Sequence, residues 1–474
     1  TFGFTTPLVC RSFQQLAGIS RFSTDVLWVG NWPMAAAYLC DMKTKTLAIG
    51  LFTSIAIAVT GISVTATSTS AAASSGWQDS AYSASKVVIK DQASCAKPAK
   101  GRVACLAIKR TFYLNGVRGK IRPLASVQPM GGIAYGANQL RKAYGVTEVG
   151  ARYKVIAIVD AYHSASAYQD LVDYRAMYTL GPIDNCTKQD LPGMEGSVIT
   201  EVPSGKNPCF MQLDQNGKVA VNHDTQDDGW AQETALDIEM ATAICPHCSI
   251  LLVEAKIPTM VNFDRAVGIA AAFKGVKSIS NSYGGSDNGE FKYPSYAAAS
   301  NKGIAVVASS GDSGYGPSAP ASFASVIAVG GTSLRVDAKG KWESETAWVK
   351  AGSGCSTYNK AAAWQPVFMT GCAGKMTADV AAVADPATGV AVAYDGGWYT
   401  FGGTSVAAPI IAGMYAIGPD FGDSAGAFTL ANKDKLHDVI EGSNGRCDVN
   451  YWCNARVGWD GPTGLGTPIS SDAF

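Results

Sequence analysis

FGGTSVAAPIIAGMYAIG, residues 401–418, sets a Ser directly after Gly-Gly-Thr and ahead of an Ala-rich apolar run. The two glycines permit a tight turn, and Thr404 or Ser405 can begin a helix that continues through the Ala residues. Pro409 is tolerated near the first turn of that helix. A helix N-terminus offers unpaired backbone N–H groups and a positive dipole end, which suit a developing oxyanion. Ser405 therefore reads as an exposed nucleophile, with an ordinary Ser helix cap as the plainer alternative. A nucleophilic Ser needs a base, usually His. This chain has only four, His163, His223, His247 and His437.

Upstream, strand-like and helix-like segments alternate. YKVIAIVDAY (153–162), SILLVEA (249–255), SISNSYGG (278–285), IAVVASSGDSG (304–314) and VIAVGGTSL (326–334) read as strands. GANQLRKAYGV (136–146), SAYQDLVDYRAMY (166–178), WAQETALDIEMATAI (230–244), MVNFDRAVGIAAAFKG (260–275) and YPSYAAASNKG (293–303) read as helices. Residues 181–228 read as irregular. Nearly continuous apolar strands at βαβ spacing predict an α/β fold whose mostly parallel sheet is covered on both faces by helices. Sites in such sheets lie at the carboxyl ends of the strands, where Asp160, Ser282 and Asp312 fall.

The Gly-Thr-Ser-x-Ala-x-Pro pattern at 403–409 resembles the serine motif of subtilisin-like proteases, and Asp160 ending VIAIVD resembles their Asp. Those proteases also carry a His followed by Gly-Thr on a helix, and no His here has that setting. The corresponding place holds GWAQETALDIEMA (229–241). Glu233 and Asp237 are four residues apart, about 40° around a helix, and project from one face. A solvated acidic face is the plainer reading of that pair alone. Glu239, about 240° from Glu233, cannot join them.

Glu-x-x-x-Asp on a helix, then SSGDSG (309–314), then GGTSVAAP (402–409) resembles, in this order, the sedolisins, the serine-carboxyl peptidases. SISNSYGG, DVAAVADPATG (379–389) and VGWDGPTGLGTP (457–468) extend the resemblance from about Gly136 to Pro468. It implies a subtilisin-like three-layer fold. It also implies Ser405 as nucleophile, Glu233 as general base, Asp237 orienting it and Asp312 supporting the oxyanion. A Glu of ordinary pKa about 4.3 is a weak base at neutral pH but suits acid medium, where His would be protonated. Asp312 can donate a hydrogen bond to an oxyanion only when protonated. The resemblance further implies one structural Ca²⁺, held by the side chains of Asp438 and Asp460 and the carbonyls of Val439, Arg456 and Gly458. Two carboxylates, carbonyls and water supply the six to eight oxygens Ca²⁺ takes; an Asp-capped turn is the plainer reading.

Composition bounds the rest. Charged residues make up 16% of the 474, with 38 acids against 38 bases, which argues against nucleic acid or an anionic membrane surface as partner. Polypeptide substrates and a monomer are expected. Met42 opens a stretch with Lys43, Lys45, an apolar run from Leu47 to about Ala66 and an A-x-A site at Ala71–Ala73. This pattern predicts a secretory signal over 42–73, with an uncleaved anchor as the alternative, and an upstream non-native segment over 1–41. Export is consistent with Cys95, Cys105, Cys186, Cys209, Cys245, Cys248, Cys355, Cys372, Cys447 and Cys453, whose spacing suggests disulfides between sequence neighbours. CPHC (245–248) reads as a structural disulfide before a zinc half-site, because two more spaced ligands are missing. Residues 74–130 read as a short linker or pro-like segment, too short for the separately folded prodomain typical of sedolisins, and 131–474 as the peptidase domain. Two other classes fit less well. A catalytically inactive binding protein would not need all four side chains. A glycoside hydrolase would place its acids across a sugar.

Overall fold

The structure, a computed structural model, describes residues 87–114, 117–119, 134–147, 154–186, 207–219 and 226–474. The expected signal, the upstream segment, the Ser/Thr/Ala-rich stretch before residue 86 and His223 lie outside them. A nine-stranded sheet forms the centre. It contains β5 (Val155–Ala161), β6 (Asp184–Asn185), β7 (Cys209–Asp214), β8 (Ser249–Ala255), β9 (Val276–Asn281), β11 (Ala305–Ser309), β13 (Ile327–Val336), β14 (Trp342–Ala347) and β17 (Val380–Val383). Their order is β14-β13-β11-β9-β5-β8-β7-β6, with β17 beside β13. Every pairing is parallel except β13 with β14.

Such strands are apolar throughout because both faces are covered. VIAIVDA and SILLVEA are buried at every position. Alternation sends Ile156 and Ile158 into a cluster with Leu236 and Ile244 of α3 (Asp228–Ile244) and Ile410 of α6 (Thr404–Ile417). Ala157 and Val159 face the opposite way, toward Phe263 and Val267 of α4 (Met260–Ala270) and Tyr296 of α5 (Pro294–Ser300). With α1 (Ala137–Ala143) and α2 (Ala167–Met177), these helices complete a three-layer subtilisin-like fold. Among the described residues no helix is long and apolar enough to cross a membrane.

Three features depart from the sequence reading. SISNSYGG is two strands: β9 stays in the central sheet, and β10 (Tyr283–Ser286) leaves it after Ser282 to pair with β12 (Ser318–Ala319) and β2 (Ala104–Cys105). The stretch read as irregular contains β6 and β7, whose shortness and interrupting polar residues hide the period. Most consequentially, the described residues between 87 and 119 do not behave as a linker. β1 (Val87–Ala93), β3 (Ile108–Leu114) and β4 (Val117–Arg118) join β18 (Val390–Tyr394) and β19 (Gly397–Gly402) in a five-stranded sheet. A further pair, β15 (Gly354–Lys360) with β16 (Gly374–Thr377), lies near the C-terminal loops. Among the described residues, five disulfides join sequence neighbours: Cys95–Cys105, Cys186–Cys209, Cys245–Cys248, Cys355–Cys372 and Cys447–Cys453.

Candidate active site

The helix α3 starts at Asp227, whose side chain accepts from the Trp230 N–H at 3.0 Å. Its second and third turns carry Glu233 and Asp237. Neither is solvated: both are completely buried, as are Ser405 at the start of α6 and Asp160 at the end of β5. The solvated-face reading of the acidic pair and the exposure expected of Ser405 are therefore corrected. Helix α3 is roofed by α6 and by the β2–β3 connection, and periodicity within one helix cannot show what packs on it. Glu239, on another face, accepts from the Ala393 N–H at 3.0 Å.

Gly403 caps α6 at φ +100°, a conformation that favours glycine. A methyl group there would also collide with the carbonyl oxygen of Leu106 and come within 2.7 Å of Asp312 Oδ2. Asp312 holds the turn, its Oδ1 accepting from the Thr404 N–H and Oγ1–H, both at 2.8 Å. Its Oδ2 has no partner and is aimed at the space above Gly403. Pro409 lies beyond the first turn of α6, so the Ser405 carbonyl loses its usual i+4 donor. Ser282 Oγ–H supplies a donor to that oxygen at 3.5 Å, and Ser405 Oγ–H donates to the Ser282 carbonyl at 3.4 Å. Residue 282, where the chain turns from β9 to β10, thus braces the nucleophile.

Asp160 is the member that residue spacing could not place here. It interacts electrostatically with both Glu233 and Asp237, so three buried carboxyls form one cluster. Hydroxyls lie beside each of them, Thr234 at Asp160, Ser405 at Glu233 and Ser282 at Asp237. None closes a well-aligned hydrogen bond: both oxygens of Asp160, both of Asp237 and Oε1 of Glu233 lack a partner. Glu233 Oε2 accepts from the Ala107 N–H at 2.8 Å. Burial, reinforced by Asp160, pushes Glu233 and Asp237 well above the usual carboxylate range. Burial likewise raises Asp160 to about 8 and Asp312 to about 7. Such groups are protonated donors in acid, and the cluster titrates as a unit.

The described histidines stand elsewhere. His163 Nδ1 contacts Glu254 Oε2 at 2.9 Å, and His437 stacks on Trp342 with ring centres 3.6 Å apart. His247 lies past the end of α3, itself about three turns beyond Glu233.

This geometry carries a pH dependence for the fold itself. The acids take up protons more readily folded than unfolded. Their contribution is fully present below about pH 4, the unfolded carboxylate range, and is lost as pH rises toward the folded values near 7 and 8. With chelator present, the melting temperature is expected to be highest near pH 4 and to fall toward pH 8, less steeply in Asp160→Asn. A melting temperature that rises over that interval would contradict the assignment.

Asp438 and Asp460, the two acids expected to hold calcium, lie near one another. Asp438 Oδ2 accepts from the Gly458 N–H at 2.8 Å, and Asp460 Oδ2 from the Arg456 N–H at 3.0 Å. Asp460 Oδ1 accepts from the N–H and Oγ1–H of Thr463. Asp460 and Val439 are buried. Burial, backed by the nearby Asp438 charge, raises Asp460 to about 7. The Arg456 guanidinium turns away, donating to the Trp459 carbonyl and lying over the Tyr451 ring. Two neighbouring acids, with no ion pair to a base among the described residues, fit a hard cation. Among the described residues no group of three or more His, Cys, Asp or Glu gathers to hold a metal, so carbonyls would supply most of the ligands.

Residues 219–419, which include α3 and the start of α6, match the subtilase family model. The chain is 34% identical to kumamolisin of Bacillus sp. (strain MN-32) over 288 residues, 53% of this chain and 51% of that protein. It is 31% identical to sedolisin of Pseudomonas sp. (strain 101) over 204 residues, 36% of this chain and 34% of that protein. The alignments thus span about half of the first relative and a third of the second. Among solved structures, Pseudomonas sedolisin, a serine-carboxyl proteinase complexed with pseudo-iodotyrostatin, superposes with a TM-score of 0.55 at 22% identity. That match covers 72% of this chain and 96% of the sedolisin chain, and shares the fold. Over these stretches the chain is similar to kumamolisin and sedolisin.

Proposed function

We propose that the protein is a secreted, acid-active serine-carboxyl endopeptidase. The observation that carries this reading is the buried group of Ser405, Glu233 and Asp237, with Asp312 Oδ2 unpaired beside the start of α6. In this mechanism Ser405 Oγ attacks a peptide carbonyl and passes its proton to Glu233. Asp237, sharing protons with Glu233 and Asp160, holds Glu233 ready to take it. Asp312, kept protonated by burial, donates to the oxyanion together with a backbone N–H at the start of α6. Glu233 returns the proton to the leaving nitrogen, and water resolves the acyl-enzyme by the same route reversed. The ten cysteines that follow the signal pattern, and the Met42–Ala73 pattern itself, support export. The test is hydrolysis of a denatured protein across pH 3–8. An optimum below neutral pH is expected, bounded above by loss of the Asp312 proton near pH 7 and below by protonation of Glu233. A profile peaking above pH 7 and abolished by substituting a His instead of Glu233 would overturn the reading.

Calcium belongs to the same proposal. Asp438 and Asp460, with the carbonyls of Val439, Arg456 and Gly458, would hold it, and the ion would tie the 438 and 456–460 segments together. An ion that binds only the folded chain raises the melting temperature by mass action, and protonation of its carboxylates weakens it. At pH 6, chelator is expected to lower the melting temperature of the wild type but not of Asp460→Ala. An equal shift in both proteins, or none in either, places calcium elsewhere.

A further inference from the structure

The carboxyl end of β8 carries a charged pair that borders the acid cluster around Ser405. Glu254 lies opposite Asp160 in the parallel pairing of β8 with β5. Neighbouring strands run about 4.8 Å apart and register partners share a face, so the two side chains stand side by side. Ile158 and Leu252, two residues earlier on each strand, both belong to the core beneath α3, which places Asp160 and Glu254 on the α3 side. Asp160 is completely buried, and Glu254 is 4% exposed.

The two carboxyls have opposite surroundings. Glu254 Oε1 accepts from the Ser164 N–H at 2.9 Å and from Gln212 Nε2 at 2.6 Å, and Oε2 meets His163 Nδ1 at 2.9 Å. The hydrogen bond to Glu254 holds the His163 imidazole above its ordinary pKa, against the opposing effect of burial, so the ring is cationic in acid. Each of these contacts is a donor, and none of them can receive a carboxyl proton. Asp214, the register partner of Glu254 on the far side, is engaged by the N–H groups of Asn216 and Lys218. Asp160, by contrast, has no partner on either oxygen. Around it stand Thr234, Glu233 and Asp237 of α3 and Tyr283 of β10. Burial raises Asp160 to about 8; the Thr234 hydroxyl opposes this and the Glu254 charge adds to it.

Three carboxyls that share protons can place their charge on any member. Attack by Ser405 needs it on Glu233. A charge on Asp160 is idle, and it tightens the hold of Glu233 on its own proton. Resting on the peptidase reading, we propose that Glu254, fixed by His163, is a positioning residue for the catalytic group: it keeps a proton on Asp160, so that the charge of the cluster falls to Glu233. A like charge alongside makes Asp160 the least favourable member to ionise. Glu254 acts only through Asp160.

The test compares wild type, Glu254→Gln, His163→Asn, Asp160→Asn and the Asp160→Asn/Glu254→Gln double variant. Their kcat and KM are measured from pH 3.5 to 6.5 on a quenched fluorescent peptide that the wild type cleaves, and melting curves report folding. Glu254→Gln is expected to lower kcat at pH 5 at least about fivefold with KM changed less than about twofold, because the charge then settles on Asp160. On the Asp160→Asn background, where residue 160 cannot hold the charge, the same substitution is expected to change kcat by less than about twofold. His163→Asn keeps a donor near Oε2 without the positive charge. Its kcat is expected to match wild type at pH 6 and to fall toward that of Glu254→Gln at pH 3.5, since only an imidazolium favours the charged carboxylate in acid. If Glu254→Gln does not fold, the pH dependence of His163→Asn decides. An unchanged kcat in Glu254→Gln, a loss confined to KM, an equal loss with and without Asp160, or a His163→Asn loss that is the same at both pH values overturns the proposal. Those outcomes leave the peptidase reading in place. A wild type that hydrolyses no polypeptide, or a Ser405→Ala chain as active as wild type, brings down that reading and this proposal with it.

Discussion

Ser405→Ala and Glu233→Gln are each expected to lower hydrolysis of added polypeptide by about 10⁴-fold or more at pH 4, with the double variant no worse than either. Nucleophile and base perform one step: without Glu233 the Ser405 hydroxyl keeps its proton, and without Ser405 the base has nothing to activate. The burial of both side chains strengthens this expectation, because solvent water cannot easily replace Glu233 as proton acceptor. Initial rates at pH 4, or single-turnover acylation, provide the check. A double variant roughly a thousandfold worse than either single one would show two independent contributions and a misassigned pair. Asp237→Asn keeps the shape but alters proton sharing, so its loss is expected to be smaller and to depend more steeply on pH.

The second large effect is at Asp312. Removing one oxyanion donor costs roughly a hundredfold or more in turnover, and Asp312→Ala is expected to lose that much while substrate binding changes little. The structure sharpens the expectation, since Asp312 Oδ1 is taken by Thr404 and only Oδ2 is free to donate. That donation requires the proton, which burial retains up to about pH 7. Asp312→Asn can turn an N–H₂ toward the same point without titrating. It is expected to recover part of the turnover lost in Asp312→Ala and to hold it with little further decline as pH rises through 7. Turnover unchanged in Asp312→Ala would make this residue only a brace for the Gly403–Thr404 turn.

Much of this protein is local, and what is local was legible. Continuous apolar runs such as VIAIVDA and SILLVEA mean strands covered on two faces, and their alternation with helices means a parallel sheet. Gly-Gly-Thr-Ser before an Ala-rich run means a helix start with a side chain placed at its N-terminus. A four-residue interval puts Glu233 and Asp237 on one helix face, and Glu239 on another, whatever surrounds them. Cysteines close in sequence meet because the intervening loops are short. Tertiary structure decided everything that depends on what packs against those elements. The same two acids would be a solvated stripe or a protonated cluster, and the choice rests on α6, the end of β5 and the β2–β3 connection closing over them. Asp160 joins the cluster through the parallel sheet order, and no spacing along the chain encodes that neighbour. The N-terminal segment looks like a linker because β1 to β4 are short and their partners, β10 and β19, lie more than 170 residues away. Pairing that distant costs loop entropy and leaves no periodic trace in either partner, so only the assembled sheets reveal that β2 and β3 pair with β10 and β19.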